Sequence, residues 1–305
     1  FALLAYQSAW LKQYYPAQFY AALLNNQPMG FYTPEVIVGD ARRHGVQILP
    51  VDINRSREQC TVEDGKLHLG FRYVKEMGDA AIAELEKARA GTPFTSLMDF
   101  YKRTNLTREA IENLILAGAM DSFGKPKRQL LWELGILEHT GREGLMLGYP
   151  EYQVPLPDMT EMEELSGEYR VQGLSVRLHP MQVIRKEISR DGVMRSSEIL
   201  SLFPGTKVRT AGYVVCRQAP MTAKGHVFLT LEDEEGLLNI VLKPHIYQKY
   251  RYLVRAEPLV VVEGVLQKRD NIVNIVAERL ATLKQEREHQ QALYPTPAPK
   301  ARSFC

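Results

Sequence analysis

From residue 208 to 277 apolar and polar residues alternate in short runs, each closed by a turn signal, and this predicts strands. The runs cover 208–216, then a hairpin whose alternating strand leaves a basic Gly-containing loop at Lys224 and Gly225, then 237–242. A helical stretch over 245–255 follows, and two more alternating runs over 259–266 and 271–277. In the first half the period changes to that of helices. Leu3, Leu4, Trp10, Leu11, Tyr14, Phe19, Leu23 and Leu24 predict a helix over residues 1 to about 27, broken at Pro16. A second helix runs from Thr33 or Pro34 to Arg43, with Thr33 as N-cap, Pro34 at the first helical position and Gly45 past its end. A short strand-like run, 46–52, comes next.

Strand, strand, strand, helix, strand, strand is the order of a small OB-type barrel. Side chains two apart share a face of a strand, so Val227, Leu229 and Leu231 point inward and His226, Phe228 and Thr230 outward. The same count gathers Arg209, Tyr213 and Arg217 on one face as an aromatic and cationic surface. OB folds take oligonucleotides on strands 2 and 3 and on the loops joining strands 1 to 2 and 4 to 5. Here those loops carry Lys224 and Lys268 with Arg269, while Glu232, Asp233, Glu234 and Glu235 form the turn between strands 2 and 3. Phosphates are expected at one end of the barrel and repelled from the other. The bland reading makes Phe228 and Tyr213 ordinary half-buried strand residues and the charges solubilising loops. The four acids lack the Asp/Asn/Gly spacing of a calcium loop and read as a solvated turn.

Residues 69–81 read as a helical turn, a Gly and a new helix, which aims backbone N–H groups at a helix N-terminus. Lys75 and Gly78 are the candidate phosphate contacts of that hairpin. A second helix pair spans 94–101 and 108–117 around the turn at residues 104–107. Beyond 125 short helical stretches alternate with Pro-rich and acidic connectors; 141–156 reads as an interdomain linker and the end from Lys284 as disordered.

Composition adds bounds. A chain of 305 residues suits two or three domains, and 24% charged with 45% hydrophobic residues is the ordinary globular class. A net charge of only +2 means that any nucleic-acid affinity rests on local patches. Cys60, Cys216 and Cys305 form no CxxC pair or Cys/His ligand set, which fits a reducing cytoplasm and gives no sign of zinc. No apolar run has the roughly 20 residues of a transmembrane helix, so no membrane role is expected. The chain lacks an initiator methionine and reads as starting inside a larger protein.

The segments resemble, in order, the C-terminal part of a bacterial C-family DNA polymerase of the DNA polymerase III alpha type. The resemblance rests on 1–12, 15–25, Gln27-Pro28-Met29-Gly30-Phe31-Tyr32, Asp40-Ala41-Arg42-Arg43-His44-Gly45, 116–121, 156–160, Leu178-His179-Pro180-Met181 and the 220–236 hairpin. The Gln-Pro-Met-Gly-Phe-Tyr and Asp-Ala-Arg-Arg-His-Gly stretches resemble its error-prone, ImuC-like branch. It implies a multidomain α+β chain: the helical end of a fingers region over 1–55, a helix-hairpin-helix DNA-binding region over 56–124, a helical connector and linker over 125–205, an OB domain over 206–283 and a disordered tail over 284–305. It further implies a cytoplasmic parent that performs template-directed, damage-induced DNA synthesis with Mg2+. Its DNA partners would be primed duplex and single-stranded template, and its protein partners the sliding clamp and an ImuB-type protein. The family's catalytic carboxylates lie upstream, and no Asp-x-Asp occurs here, so no catalytic residue, metal ligand or cofactor is expected in this stretch. Where the family hairpin has Gly-x-Gly this chain has Glu76-Met77-Gly78, and a carboxylate beside a phosphate site should weaken binding there. A stand-alone single-strand-binding module and an OB domain of the aminoacyl-tRNA synthetase kind are the competing readings.

Overall fold

The computed structural model describes residues 1–30, 32–140, 155–188, 192–269, 272–283 and 302–304; side chains at 140, 186, 187 and 302–304 are outside the description. The chain forms two compact units, Phe1–Met29 with Ile37–Arg177, and Gly30–Val36 with Leu178–Cys305. The stretch 125–205, expected as one connector, is therefore divided between them. The expected linker 141–156 lies outside the described residues except for its last two. No described helix is long and apolar enough to cross a membrane.

The first unit is helical. α1 (Ala2–Tyr14) and α2 (Pro16–Asn25) meet at Pro16, which opens α2 where its missing N–H costs nothing. α2 buries Ala17, Tyr20, Ala21 and Leu24, the i, i+3, i+4, i+7 stripe of a core-facing helix, whereas α1 buries none of its side chains. α3 (Pro34–Arg43) supplies Asp40, which accepts hydrogen bonds from Tyr20 Oη at 2.7 Å and Lys12 Nζ at 2.8 Å. Burial, with Asp40 as its acceptor, pushes the Tyr20 phenol far above the ordinary tyrosine range.

A three-stranded sheet follows, in the order β1 (Ile48–Leu49), β3 (Lys66–His68), β2 (Thr61–Glu63). β2 and β3 are joined by Asp64 and Gly65 at φ 51° and 74°, both in the left-handed region that a two-residue hairpin turn needs. α4 (Asp79–Arg89), α5 (Leu97–Arg103), α6 (Arg108–Leu116), α7 (Lys127–Thr140) and α8 (Glu161–Gln172) complete the unit. Their starts are fixed by side chains: Ser96 Oγ accepts from Asp99 N, Thr107 Oγ1 from Ala110 N, and Thr160 forms a capping box with Glu163. α6 is the central helix and buries six of its nine residues.

The second unit is the barrel with two leading helices, α9 (Pro180–Ile188) and α10 (Ser196–Ser201). β4 (Lys207–Gln218), β5 (Val227–Glu232), β6 (Leu237–Leu242), α11 (Pro244–Ala256), β7 (Leu259–Arg269) and β8 (Ile272–Thr282) follow in the expected order. The sheet order β5-β6-β8-β7-β4 closes on itself through β4–β5 pairing, which makes a closed OB-type barrel. β4 is long enough to serve both neighbours: residues 207–213 pair with β7 and 213–218 with β5. At the register shift between Glu263 and Gly264 the backbone of β8 runs so close that a Cβ on Gly264 would strike the Val276 carbonyl oxygen. Val208, Leu229, Leu231, Ile240, Val262, Leu266 and Ile275 fill the barrel, and α11 stoppers it with Ile246 and Val254. Of the expected disordered tail, Arg302–Phe304 forms a short strand, β9, parallel to 216–218 of β4; the rest lies outside the described residues.

Candidate nucleic-acid interface

Strand register decides what the barrel shows to solvent, because residues directly opposite across a ladder share a face. Gln218, Phe228, Val241 and Val276 form one row across β4, β5, β6 and β8; Cys216, Thr230, Asn239 and Asn274 form the next. Phe228 is 37% exposed in the first row, while Val227, Leu229 and Leu231 are buried on the other side of the strand. His226 and Thr230 lie half-buried on the outer side. The result is a shallow face with one accessible aromatic ring, several amides and no carboxylate in these two rows.

The Lys224 loop borders this face. A 3-10 turn, Met221–Ala223, ends with Lys224 at φ 49° and Gly225 at φ 81°. His226 Nδ1 donates to Ala223 O at 2.9 Å, which fixes the ring. Gly225 lies against the first residue of α11, since an added Cβ there would sit 3.5 Å from Pro244 Cγ. The exposed Lys224 thus shares this end of the barrel with exposed Lys243 and His245. Lys243 and His245 also line a pocket of about 370 Å³ with Val265, Gln267, Val276 and Glu278, which reaches the Phe228 row through Val276. Both residues were absent from the sequence-derived set; their signal was a helix start carrying a cation and a histidine beside an outward-facing strand end.

Three expected placements are corrected. Tyr213 is 1% exposed, its ring edge-on to His179 with centroids 6.3 Å apart. It stands where β4 passes from β7 to β5 with His179 of the preceding segment against its ring, while Met194 joins the free edge of β4, its N donating to Arg209 O and its O accepting from Thr210 Oγ1. Arg217 is also buried; its Nε donates to Val254 O at 2.6 Å and its Nη2 to Glu257 O at 2.8 Å. It serves the carbonyl end of α11, where a cation suits the helix dipole, and burial holds its pKa below the ordinary arginine value. Arg209 pairs with Glu263 at 3.3 Å on the neighbouring strand. A register shift between Val214 and Cys216 breaks the simple count on which that surface depended.

The charge layout differs as well. β6 and β8 are parallel, with Asn239 opposite Asn274, so the β7–β8 connection lies at the same end as the β5–β6 turn. Lys268 and Arg269 therefore share an end with the acidic turn, and Lys224 lies at the opposite end. Lys268 Nζ donates to Leu200 O at 2.6 Å, and Arg269 is exposed. The acidic turn is not a solvated loop. Glu232 and Asp233 are 2% and 3% exposed; Glu234 takes a two-pronged pair from Arg185 at 2.6 and 2.7 Å, and Arg195 holds Glu235 at 2.9 Å. These acids form an internal clamp on α9 and α10, and their partners cancel much of the charge expected to repel phosphate.

In the first unit, Lys75, Glu76 and Gly78 are exposed around the start of α4, whose N-cap is Gly78. The backbone is anchored there by Lys75 N donating to Val171 O and by Asn113 Nδ2 donating to Lys75 O. Glu76 adopts φ 64°, a left-handed conformation that disfavours any residue with a Cβ. Glu76→Gly is expected to raise stability by up to ~1 kcal/mol in chemical denaturation, since glycine adopts this φ freely. Among the described residues, no group of three or more His, Cys, Asp or Glu is arranged to hold a metal ion.

Two family descriptions match the chain: "Helix-hairpin-helix motif" over residues 45–130 and "OB-fold nucleic acid binding domain" over residues 208–283. Among curated proteins, the error-prone DNA polymerase of Corynebacterium efficiens is 40% identical over 285 residues, covering 93% of this chain and 26% of that protein. That of Anaeromyxobacter sp. (strain K) is 36% identical over 317 residues, covering all of this chain and 27% of that protein. Error-prone DNA polymerase 1 of Rhizobium meliloti is 38% identical over 315 residues, 92% of this chain and 28% of that protein. The chain is homologous to these polymerases and spans about a quarter of their length. Among solved structures, asparaginyl-tRNA synthetase from Pyrococcus horikoshii is 20% identical over 29% of this chain and 22% of that one with a TM-score of 0.26, a likeness too partial to bear on function.

Proposed function

We propose, from homology to error-prone DNA polymerases over nearly the whole chain, that this stretch is the DNA-handling part of such an enzyme, of the C-family, ImuC-like kind. The helix-hairpin-helix region would hold the phosphates of primed duplex, and the barrel would hold single-stranded template. Phosphoryl transfer with Mg2+ belongs in this reading to carboxylates elsewhere in the parent protein. Action in damage-induced synthesis and partnership with a sliding clamp and an ImuB-type protein remain assigned to that parent by resemblance. The domain limits 1–55, 56–124, 125–205, 206–283 and 284–305 are kept as functional regions, with the structural division at Arg177 cutting through the third.

One observation carries the reading of the barrel: Phe228 is an exposed ring on a face whose two strand rows hold no carboxylate, bordered by Lys224, Lys243 and His245, with Glu278 in the adjoining pocket. A base can stack on such a ring while its phosphates meet the cations, without regard to sequence. Phe228→Ala should weaken single-strand binding by about 1 to 3 kcal/mol in fluorescence anisotropy titrations. Its melting temperature should stay close to that of the parent chain, because the ring is outside the barrel core. Unchanged affinity in a folded variant would remove Phe228 from the interface.

A further inference from the structure

We propose that the exposed face of α11 is a second nucleic-acid contact, which takes the sugar–phosphate backbone of a single strand running on from the Phe228 face past Lys243. The proposal rests on the reading of that face given above and extends it to a surface outside the OB cleft. From 243 to 256 the sequence holds Lys243, His245, Lys249, Arg251 and Arg255 and not one Asp or Glu, in a chain whose net charge is only +2. Folding sorts these residues. Ile246 and Val254 face the barrel, with Tyr247, Tyr250 and Leu253 packed beside them, while Lys249, Arg251, Tyr252 and Arg255 are exposed.

Elsewhere in this unit several cations meet carboxylates, as Arg185 does Glu234, Arg195 does Glu235 and Arg209 does Glu263. On α11 they meet rings instead. Lys249 Nζ lies 5.0 Å from the Tyr250 ring centre, the Arg251 guanidinium 5.2 Å from that of Tyr252, and Arg255 Nε donates to Tyr247 Oη at 3.1 Å. Among the described residues none of Lys249, Arg251 and Arg255 has a carboxylate within ion-pair distance. A ring contact leaves the charge uncompensated, so an outside polyanion gains the full attraction.

Tyr252 selects among polyanions. It is 80% exposed, too far out to serve the core, and an accessible phenol between cations is a stacking platform for an unpaired base. A duplex, whose bases are already stacked, would use the cations alone. The contact is continuous with the Phe228 face, because Lys243 and His245 at the start of α11 line the pocket that opens on Val276. The 13-residue helix is kinked at Tyr250, where φ is −110° and ψ 19°, so at a rise of 1.5 Å per residue it prolongs that face by less than roughly 20 Å.

The test uses the whole 305-residue chain and oligothymidylates of about 6 and about 20 nucleotides, titrated by anisotropy across a salt series. Replacing Lys249, Arg251 and Arg255 together by alanine should lower the salt slope for the long oligomer by about 2, at roughly 0.7 per lost phosphate contact, and leave the short one nearly unchanged. Tyr252→Ala should weaken long single strands about 5-fold or more and leave duplex binding unchanged. A slope for the long oligomer equal to that of the parent chain overturns the proposal, and binding to polyglutamate lost in the triple variant would reassign the surface to an acidic protein. If Phe228→Ala fails to weaken the short oligomer, the reading of the Phe228 face fails separately, whatever the triple variant does.

Discussion

Replacing Asp233 by alanine is expected to destabilise the chain by about 3 to 5 kcal/mol, seen as an earlier unfolding transition in urea. Its carboxylate accepts from Ser196 N at 2.7 Å, Ser196 Oγ at 2.6 Å, Glu235 N at 2.9 Å and Gly236 N at 2.8 Å. One side chain therefore closes the β5–β6 turn and caps α10, and Arg185 approaches it at 3.6 Å from the third side. Alanine would leave the two Ser196 donors buried without partners, free the Glu235 and Gly236 N–H groups of the turn, and leave Arg185 with Glu234 alone. Asn in the same place keeps the shape but cannot accept with both arms, so Asp233→Asn should fall between the two. A loss below about 1 kcal/mol for alanine would return this turn to the solvated class predicted from its sequence.

Lys127→Met is expected to cost about as much, roughly 3 to 5 kcal/mol near neutral pH, for a different reason. Lys127 and Glu168 form a buried pair in the helical unit, 3% and 4% exposed, at 3.2 Å. Lys127 Nζ also donates to Leu116 O at 3.1 Å, and Ser175 Oγ donates to Glu168 at 2.7 Å. Even with these partners, burial holds the Glu168 carboxyl above its ordinary pKa. A carboxyl whose folded pKa is raised favours the folded state most below the unfolded value and loses that contribution as pH rises through the folded one. Removing Lys127 moves the folded value further up. The deficit of the variant should therefore be largest at neutral and alkaline pH and shrink below the ordinary glutamate range. Lys127→Met combined with Glu168→Leu should recover much of the loss, because no buried charge is then left unpaired. A deficit that does not change with pH would show that lost packing, and not a Glu168 carboxylate left with Ser175 and with Arg177 Nε at 3.7 Å, sets the cost.

The alternation of the barrel strands was legible because one face of each is dry: β6 runs over Leu237–Leu242 as its pattern implied, and β5 sorts Val227, Leu229 and Leu231 from Phe228 and Thr230. The Pro16 break is a local rule that tertiary packing left alone. What escaped was non-local. The hairpin of β2 and β3 had an Asp64-Gly65 signal, but each strand is three residues long, too short for a period to register. Tyr213 and Arg217 were misplaced because a face count knows nothing of the segment that later folds over β4, nor of the register shift at Val214. The acids at 232–235 read as repulsive because Arg185 and Arg195, their partners, lie about 40 to 50 residues earlier. Charge seen along a sequence is gross charge; the structure leaves only the unpaired part to act at a distance. In the barrel unit that part includes Lys249, Arg251 and Arg255 on α11, whereas Arg209 and Arg217 are engaged by Glu263 and by the carbonyls of Val254 and Glu257.

The central claim is that the Phe228 face and its neighbouring cations hold single-stranded DNA. Anisotropy of a labelled short oligothymidylate with the intact chain and with a Lys224→Ala, Lys243→Ala, Phe228→Ala variant, followed across a salt series, tests it most directly. The account predicts salt-sensitive binding by the intact chain, and a variant that melts alike but binds at least tenfold more weakly, with a salt slope reduced by about 1.4 for two lost phosphate contacts. Equal affinity and equal slope in the two proteins, or no binding by either, would contradict it.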